Sequence, residues 1–200
     1  MNDLVLIGGG GHARSCIDVI ESSEEYRIKA IVDSKADKKN YPYEVYENEI
    51  AVDELLKISK NVHIAIGQID SSKTRTELFE LYKINGFNFP IIRSYSSHQS
   101  KYSKIGEGTV LMHHTLVNHG AFVGLNCIIN NKVLVEHDCS IGDHCHIATG
   151  AILNGAVRVG DGSFIGSNAV VTPGVVIGKR CFIGSGVRVS EDLKDNQRIT

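Results

Sequence analysis

From Ile105 to Val189 the chain reads, in sixes, IGEGTV LMHHTL VNHGAF VGLNCI INNKVL VEHDCS IGDHCH IATGAI LNGAVR VGDGSF IGSNAV VTPGVV IGKRCF IGSGVR V. Each group opens on a branched aliphatic: Ile105, Leu111, Val117, Val123, Ile129, Val135, Ile141, Ile147, Leu153, Val159, Ile165, Val171, Ile177, Ile183 and Val189. Four residues later stands a small or slim side chain, as at Thr109, Ala121, Cys127, Cys139, Cys145, Ser163 and Cys181. Glycine often follows the aliphatic, as at Gly106, Gly124, Gly142, Gly160, Gly166, Gly178 and Gly184. A period of six is neither the 3.6 of a helix nor the alternation of a flat strand. It is the mark of a β-solenoid, in which each repeat is a short strand and a corner and the aliphatic column points inward.

Upstream, the pattern is different. Leu4–Ile7 is a continuous apolar run of the kind found in a buried parallel strand. The glycines of Gly8-Gly9-Gly10-Gly11 follow, then His12-Ala13 and a helical spacing through Cys16, Ile17, Val19 and Ile20. Further strands are expected at Ile28–Val32, closed by Asp33, at Val62–Ile66, closed by Gly67, and at Phe87–Ile92. Short helices are expected at Val52–Leu56 and over Ser71–Tyr82. Strands alternating with helices imply a small doubly wound α/β sheet, so residues 1–93 read as a Rossmann-like domain. Serine-rich 94–104 reads as a linker, 105–189 as the solenoid and 190–200 as a polar tail.

Composition bounds the function. Of 200 residues, 42% are hydrophobic and 22% charged, enough to bury a core, and the net charge of −2 argues against a general nucleic-acid binder. No apolar run approaches a membrane span and no basic segment precedes the first strand, so a cytoplasmic protein without a membrane partner is expected. Four of the five cysteines fill the slim hexad slot and read as packing. No CxxC or HxxxH spacing is present, and no metal is expected.

Two stretches carry chemistry. Gly8-x-Gly10-x-x-Ala13 lies between a strand and a helix, where backbone N–H groups and the helix dipole favour a phosphate, and Asp33 stands where an acidic residue meets a ribose. In the solenoid, histidine is the natural base near neutral pH. His137 is followed by Asp138, whose carboxylate would fix the imidazole tautomer. Neighbouring strand residues point to opposite faces, so this pair needs a corner. His119 shares the hexad phase of His137, and His113, His114 and His144 read as solvated.

With Gly9-Gly10-Gly11-His12, Asp33, Ile64-Ala65-Ile66-Gly67, Val135-Glu136-His137-Asp138-Cys139-x-Ile141-Gly142 and His146-Ile147-Ala148-Thr149-Gly150-Ala151, the chain resembles the hexapeptide-repeat sugar acetyltransferases of the NeuD/PglD type. The resemblance implies a left-handed parallel β-helix with three hexads to a coil. It implies an acetyl-CoA-dependent transfer to the amino group of a UDP- or dTDP-linked 4-amino-4,6-dideoxy sugar for surface glycan or O-antigen assembly. O-acetylation of sialic acid or a related nonulosonate stays open, as does a non-catalytic scaffold. The small domain would bind the nucleotide sugar through Gly10, Gly11, His12, Asp33 and Gly67. Acetyl-CoA would lie between subunits of a homotrimer against His146, Gly155, Ser167, Gly184 and Ser185. By position, one coil beyond His137, a backbone N–H near Gly155 would supply the oxyanion donor. Catalysis would fall to His137 with Asp138. Lys179, Arg180 and Arg188 are further candidates for the coenzyme phosphates. Relatives typically end in Val-x-Gly-x-Pro-Ala, which this chain lacks.

Overall fold

The computed structural model describes residues 1–46 and 51–200. Its N-terminal half is a four-stranded parallel sheet of order β3-β2-β1-β4, from β1 (Asn2–Ile7), β2 (Tyr26–Val32), β3 (Glu44–Tyr46) and β4 (Val62–Ile64). The helices are α1 (Gly11–Ser23), α2 (Val52–Ile58) and α3 (Lys73–Ile84). On α1, Ala13, Cys16, Val19 and Ile20 form the buried stripe, at helical spacing. The edge strand β3 was not anticipated, since three residues are too few to show an alternation.

The expected strand Phe87–Ile92 does not join this sheet. Asn88 makes a lone bridge to Asn61, while Ile92–Arg93 pairs with Val110–Leu111 of the solenoid. Pro90 has no N–H to give to a ladder, and Phe87 and Phe89 are buried in the cluster around Phe79.

The rest of the chain is a left-handed parallel β-helix. Its strands are two residues long, the second aimed inward and the first outward. They stack in parallel with a step of one coil, as in Ile128↔His146↔Phe164 and Leu134↔Ile152↔Val170. Three sheets of seven, six and five strands make the faces of a prism. The hexad aliphatics and the slim residues fill its interior, including Cys127, Cys139, Cys145 and Cys181, all free thiols.

The solenoid runs past both expected limits. Residues 94–104, read as a linker, complete a first coil: His98–Gln99 pairs with Leu116–Val117, and Lys104–Ile105 with Phe122–Val123. The period of six persists there, but Arg93 and Gln99 take the aliphatic places and bond to each other, Arg93 Nε donating to Gln99 Oε1 at 2.9 Å. Polar residues suit the open end of a prism, and they hid this coil. The tail 190–200 is a last, shorter coil, with Leu193 bridged to Ile177 and Arg198–Ile199 paired with Phe182–Ile183. It covers strand edges that would otherwise invite pairing with another chain.

The outward columns say what each face meets. On the seven-stranded face Ile92, Val110 and Ile128 pack with Met112 against Leu4, Leu6, Ala13 and Cys16, so the small domain sits on this face. The six-stranded face carries Leu116, Leu134, Ile152 and Val170, all half-buried. The five-stranded face is mixed, with Lys104, Phe122, Ser140, Arg158 and Val176. Among the described residues no helix is long and apolar enough to cross a membrane.

Candidate active site

His137 and Asp138 occupy the corner that follows the six-stranded face. Asp138 has φ +59°, a left-handed conformation that Asp tolerates and that turns the chain between strands. The turn defeats the pleat: instead of pointing apart, His137 Nδ1 and Asp138 Oδ2 lie 2.9 Å apart. Glu136 Oε2 accepts from Asn118 Nδ2 at 2.9 Å and from His137 N at 3.4 Å, fixing the approach to the corner. One coil on, a Cβ at Gly155 would stand 2.6 Å from His137 Nε2. Glycine there leaves room for the ring and keeps the backbone beside its second nitrogen. Both side chains are more than half exposed, 61% and 65%. His119, one coil earlier, packs on Tyr102, with ring centroids 4.6 Å apart and the planes tilted by 38°.

The glycine turn lies where β1 passes into α1. Gly8 needs its φ of +110°, and a Cβ there would meet Ile66 Cγ1 at 2.6 Å; a Cβ on Gly9 would meet that of Ala36 at the same distance. Gly10 has nothing within 4 Å of a would-be Cβ, and Gly11 only Arg14 Nη2 at 3.9 Å, so these two face open space at the head of the helix. Asp33 Oδ2 accepts from Gly9 N at 2.6 Å and Oδ1 from Lys35 N at 2.7 Å. Tyr41 Oη donates to Gly9 O at 2.6 Å. The aspartate expected at a ribose thus spends part of its capacity holding the turn. Beside it a cleft of about 440 Å³ opens at the carboxyl ends of the strands, lined by Ile7, Gly8, Val32, Asp33, Ser34, Val52, Ile66, Leu78, Leu81 and Tyr82. Parallel sheets bind ligands at this end. Gly67 packs on His12, its would-be Cβ 3.4 Å from that of His12.

His146 lies elsewhere than on an open groove. It points out of the seven-stranded face into the seam between the two halves and is 8% exposed. Its Nδ1 donates to Gln68 O at 2.6 Å, and Asn130 Nδ2 donates to its Nε2 at 3.1 Å. Burial holds His146 near 4, and His12 and His63 near 3, so all three are neutral. Arg75, fully buried on α3, adds to the depression in each case.

The structure corrects two other histidine readings. His113 is not solvated: its Nε2 lies 2.7 Å from Asp18 Oδ2 and its Nδ1 2.6 Å from Ser94 Oγ, which ties α1 to the first coil. His144 packs edge-on against Phe79 and meets Asn126 Nδ2 through Nδ1 at 3.0 Å.

Ser167 and Ser185 follow the seven-stranded face, one coil apart, with Gly186 N bonded to Ser167 O; Gly184 leads into the second corner. That edge is not the one bearing His137, so a single chain does not bring the two groups together. Lys179 is paired with Asp161 at 2.8 Å and Arg180 with Asn196 at 2.9 Å, while Arg188 is exposed. Among the described residues no cluster of three or more His, Cys, Asp or Glu is arranged to hold a metal ion. Missed from sequence were Gln68, Arg75 and Asn126, which link the halves. Arg75 stands at a helical core position, a signal that could have marked it as a buried charge.

The PglD N-terminal domain family model matches residues 3–82, and the bacterial transferase hexapeptide (six repeats) model matches 156–191. A search of the curated proteins gave no match. Among solved structures the chain is similar to a histidine-to-asparagine mutant of perosamine N-acetyltransferase from Caulobacter crescentus in complex with CoA and GDP-perosamine. The two are 31% identical, covering 99% of this chain and 93% of that one, with a TM-score of 0.90. The acetyltransferase domain of PglB from Neisseria gonorrhoeae FA1090, in complex with acetyl coenzyme A, is 25% identical, covering 99% and 96%, with a TM-score of 0.89. WeeI from Acinetobacter baumannii AYE, 24% identical over 100% and 97% of the chains, shares the fold at a TM-score of 0.81.

Proposed function

The chain belongs to the hexapeptide-repeat sugar acetyltransferases of the NeuD/PglD type, and from that premise we propose that it transfers the acetyl group of acetyl-CoA to the amino group of a nucleotide-linked 4-amino sugar, with His137 as general base. The observation that carries this reading is the corner at Val135–Asp138. The Asp138 carboxylate accepts a hydrogen bond from His137 Nδ1–H and leaves Nε2 as the free base, beside a glycine that gives it room.

The amine nitrogen attacks the thioester carbonyl and its proton passes to His137 Nε2. The imidazolium that forms is stabilised by Asp138. The oxyanion of the tetrahedral intermediate takes a backbone donor, for which our candidate is the Gly155 N–H, one coil beyond His137. The C–S bond breaks, the amide is left on the sugar, and the proton on His137 neutralises the departing thiolate. Holding both reactants supplies much of the acceleration.

The glycine turn with its open Gly10 and Gly11, His12, Asp33 and Gly67 is our site for the nucleotide sugar, with the cleft beside Asp33 for the nucleoside. The coenzyme would run along the edge of Ser167, Gly184 and Ser185, with His146 set back in the seam behind it. Because that edge and the His137 edge are separate within one chain, the reading calls for neighbouring subunits. The ladder Leu116, Leu134, Ile152 and Val170 supports a homotrimer: an apolar column on a face the small domain leaves uncovered suits burial against another copy. Five free thiols accord with a reducing compartment, which supports a cytoplasmic location.

The GDP-perosamine held by one relative sets a GDP-linked sugar beside the expected UDP- and dTDP-linked ones. Thiol release from acetyl-CoA decides, measured with GDP-, UDP- and dTDP-4-amino-4,6-dideoxy sugars and with free sialic acid. Release with a nucleotide-linked amino sugar is expected. Release with sialic acid alone, or with none of them, overturns the proposal.

A further inference from the structure

Among the described residues Arg75 is a buried cation with no carboxylate partner. On α3 it is 2% exposed, and its hydrogen bonds go to neutral groups. Nη1 donates to Gln68 Oε1 at 2.8 Å, and Nη2 donates to Asn126 O and, at 3.2 Å, to Asn126 Oδ1. In return Asn126 Nδ2 reaches Arg75 O at 3.3 Å. Among the described residues its Nε has no partner. A desolvated charge without a counter-ion is unfavourable by itself, so its use lies in what its fork holds.

Both partners lie in the seam between the two halves. Gln68 sits between the glycine that packs on His12 and the start of α3; its Nε2 donates to Gly162 O at 3.2 Å, and its own carbonyl accepts from His146 Nδ1 at 2.6 Å. Asn126 is a corner of the solenoid with φ +49°, fully buried. One guanidinium thus grips the loop after β4 on one side and the prism on the other.

We infer that Arg75 is a positioning residue: its planar fork, held by Gln68 and Asn126, sets the register of the nucleotide-binding half on the solenoid and seats the Gln68 carbonyl that orients His146. The inference rests on the acetyl-transfer reading for its kinetic consequence, not for its geometry. Arg75 touches neither reactant, so each should bind its own half normally when the fork is lost. What suffers is their alignment, and a shift on the order of 1 Å can cost about 100-fold in rate. Lysine cannot reproduce two divergent donors in one plane.

The test is Arg75→Gln and Gln68→Ala beside Gln68→Glu, which keeps an acceptor for Arg75 at the same place. With full-length protein, titration calorimetry gives the stoichiometry of CoA and nucleotide-sugar binding, and steady-state kinetics gives kcat. Arg75→Gln and Gln68→Ala should each lose at least about tenfold in kcat while binding both ligands at full stoichiometry, with affinities within about twofold. Gln68→Glu should restore most of the rate. A kcat within about twofold of wild type overturns the inference, as does a loss of kcat matched by a loss of binding sites, which would make Arg75 merely structural. Should Arg75→Gln fail to fold, Gln68→Ala decides by the same outcomes. Should the wild type itself turn over no sugar, the acetyl-transfer reading fails, and nitrogen NMR decides separately. The His146 proton should reside on Nδ1 in wild type and Gln68→Glu and lose that preference in Gln68→Ala. An unchanged signal in Gln68→Ala overturns the inference.

Discussion

An exposed imidazole is a useful base only when one nitrogen is spoken for. At His137 the Asp138 carboxylate does this from the next residue, 2.9 Å away, because φ at Asp138 is +59°. His137→Ala should therefore lower kcat by about 100-fold or more with little change in thermal stability, read in the thiol-release assay. Asp138→Asn should lower it too, because an amide can present its N–H to Nδ1 and turn the lone pair of the ring the wrong way. The partnership could be read from Glu136-His137-Asp138, but not its geometry, since a strand would have pointed the two side chains apart. His146 was legible as a site candidate and not as a seam residue. Its environment is made by Gln68, 78 positions away in the chain, which no local pattern encodes. Asp33 is similar: its place after β2 was readable, its bond to Gly9 N was not.

At the scale of the hexad, two glycines that look alike do different things. Gly142 stacks on the corner one coil further, and a Cβ there would come within 2.9 Å of Asp161 N. Gly142→Ala must push backbone apart, so it should lower Tm and expose the corner to hydrogen exchange. Gly155→Ala meets only the tip of the His137 ring, Nε2 at 2.6 Å, a side chain that can swing. It should leave Tm nearly unchanged and still cost about tenfold in kcat by displacing the base. The inward column is ordinary core: Ile141 is fully buried, and Ile141→Ala should cost about 2–5 kcal/mol in urea unfolding. The column was legible because side chains on stacked coils repeat in register. The first and last coils were not. Arg93 and Gln99 fill aliphatic places at one end, and the final turn drops out of phase at the other.

For the whole molecule, the seam between the halves makes stability depend on pH. His12 and His63 near 3 and His146 near 4 lie below the 6.5 of a free imidazole, chiefly through burial. Between those values and 6.5 the unfolded chain binds more protons than the folded one. Stability is therefore complete above pH 6.5 and falls as pH drops through that window, at up to about 1.4 kcal/mol per pH unit for each histidine. Urea midpoints at pH 7 and pH 5 should differ accordingly, and equal midpoints would mean these rings are not buried neutral in solution. The apolar ladder carries the assembly prediction. Ile152→Asp should yield a monomer of about the 21.8 kDa chain mass by light scattering and abolish turnover, whereas Arg158→Asp on the mixed face should leave both as they are. The amino-acid sequence by itself determined the two halves, the solenoid, the inward column, the glycine turn and the pairing of His137 with Asp138, because each is written in neighbours or in a fixed period. Only the tertiary structure decided which prism face carries the small domain, that Arg75 with Gln68 and Asn126 joins the halves, and that His146 lies inside the seam. Those contacts join residues tens of positions apart, and burial between two halves is a property of their packing that no period or spacing records.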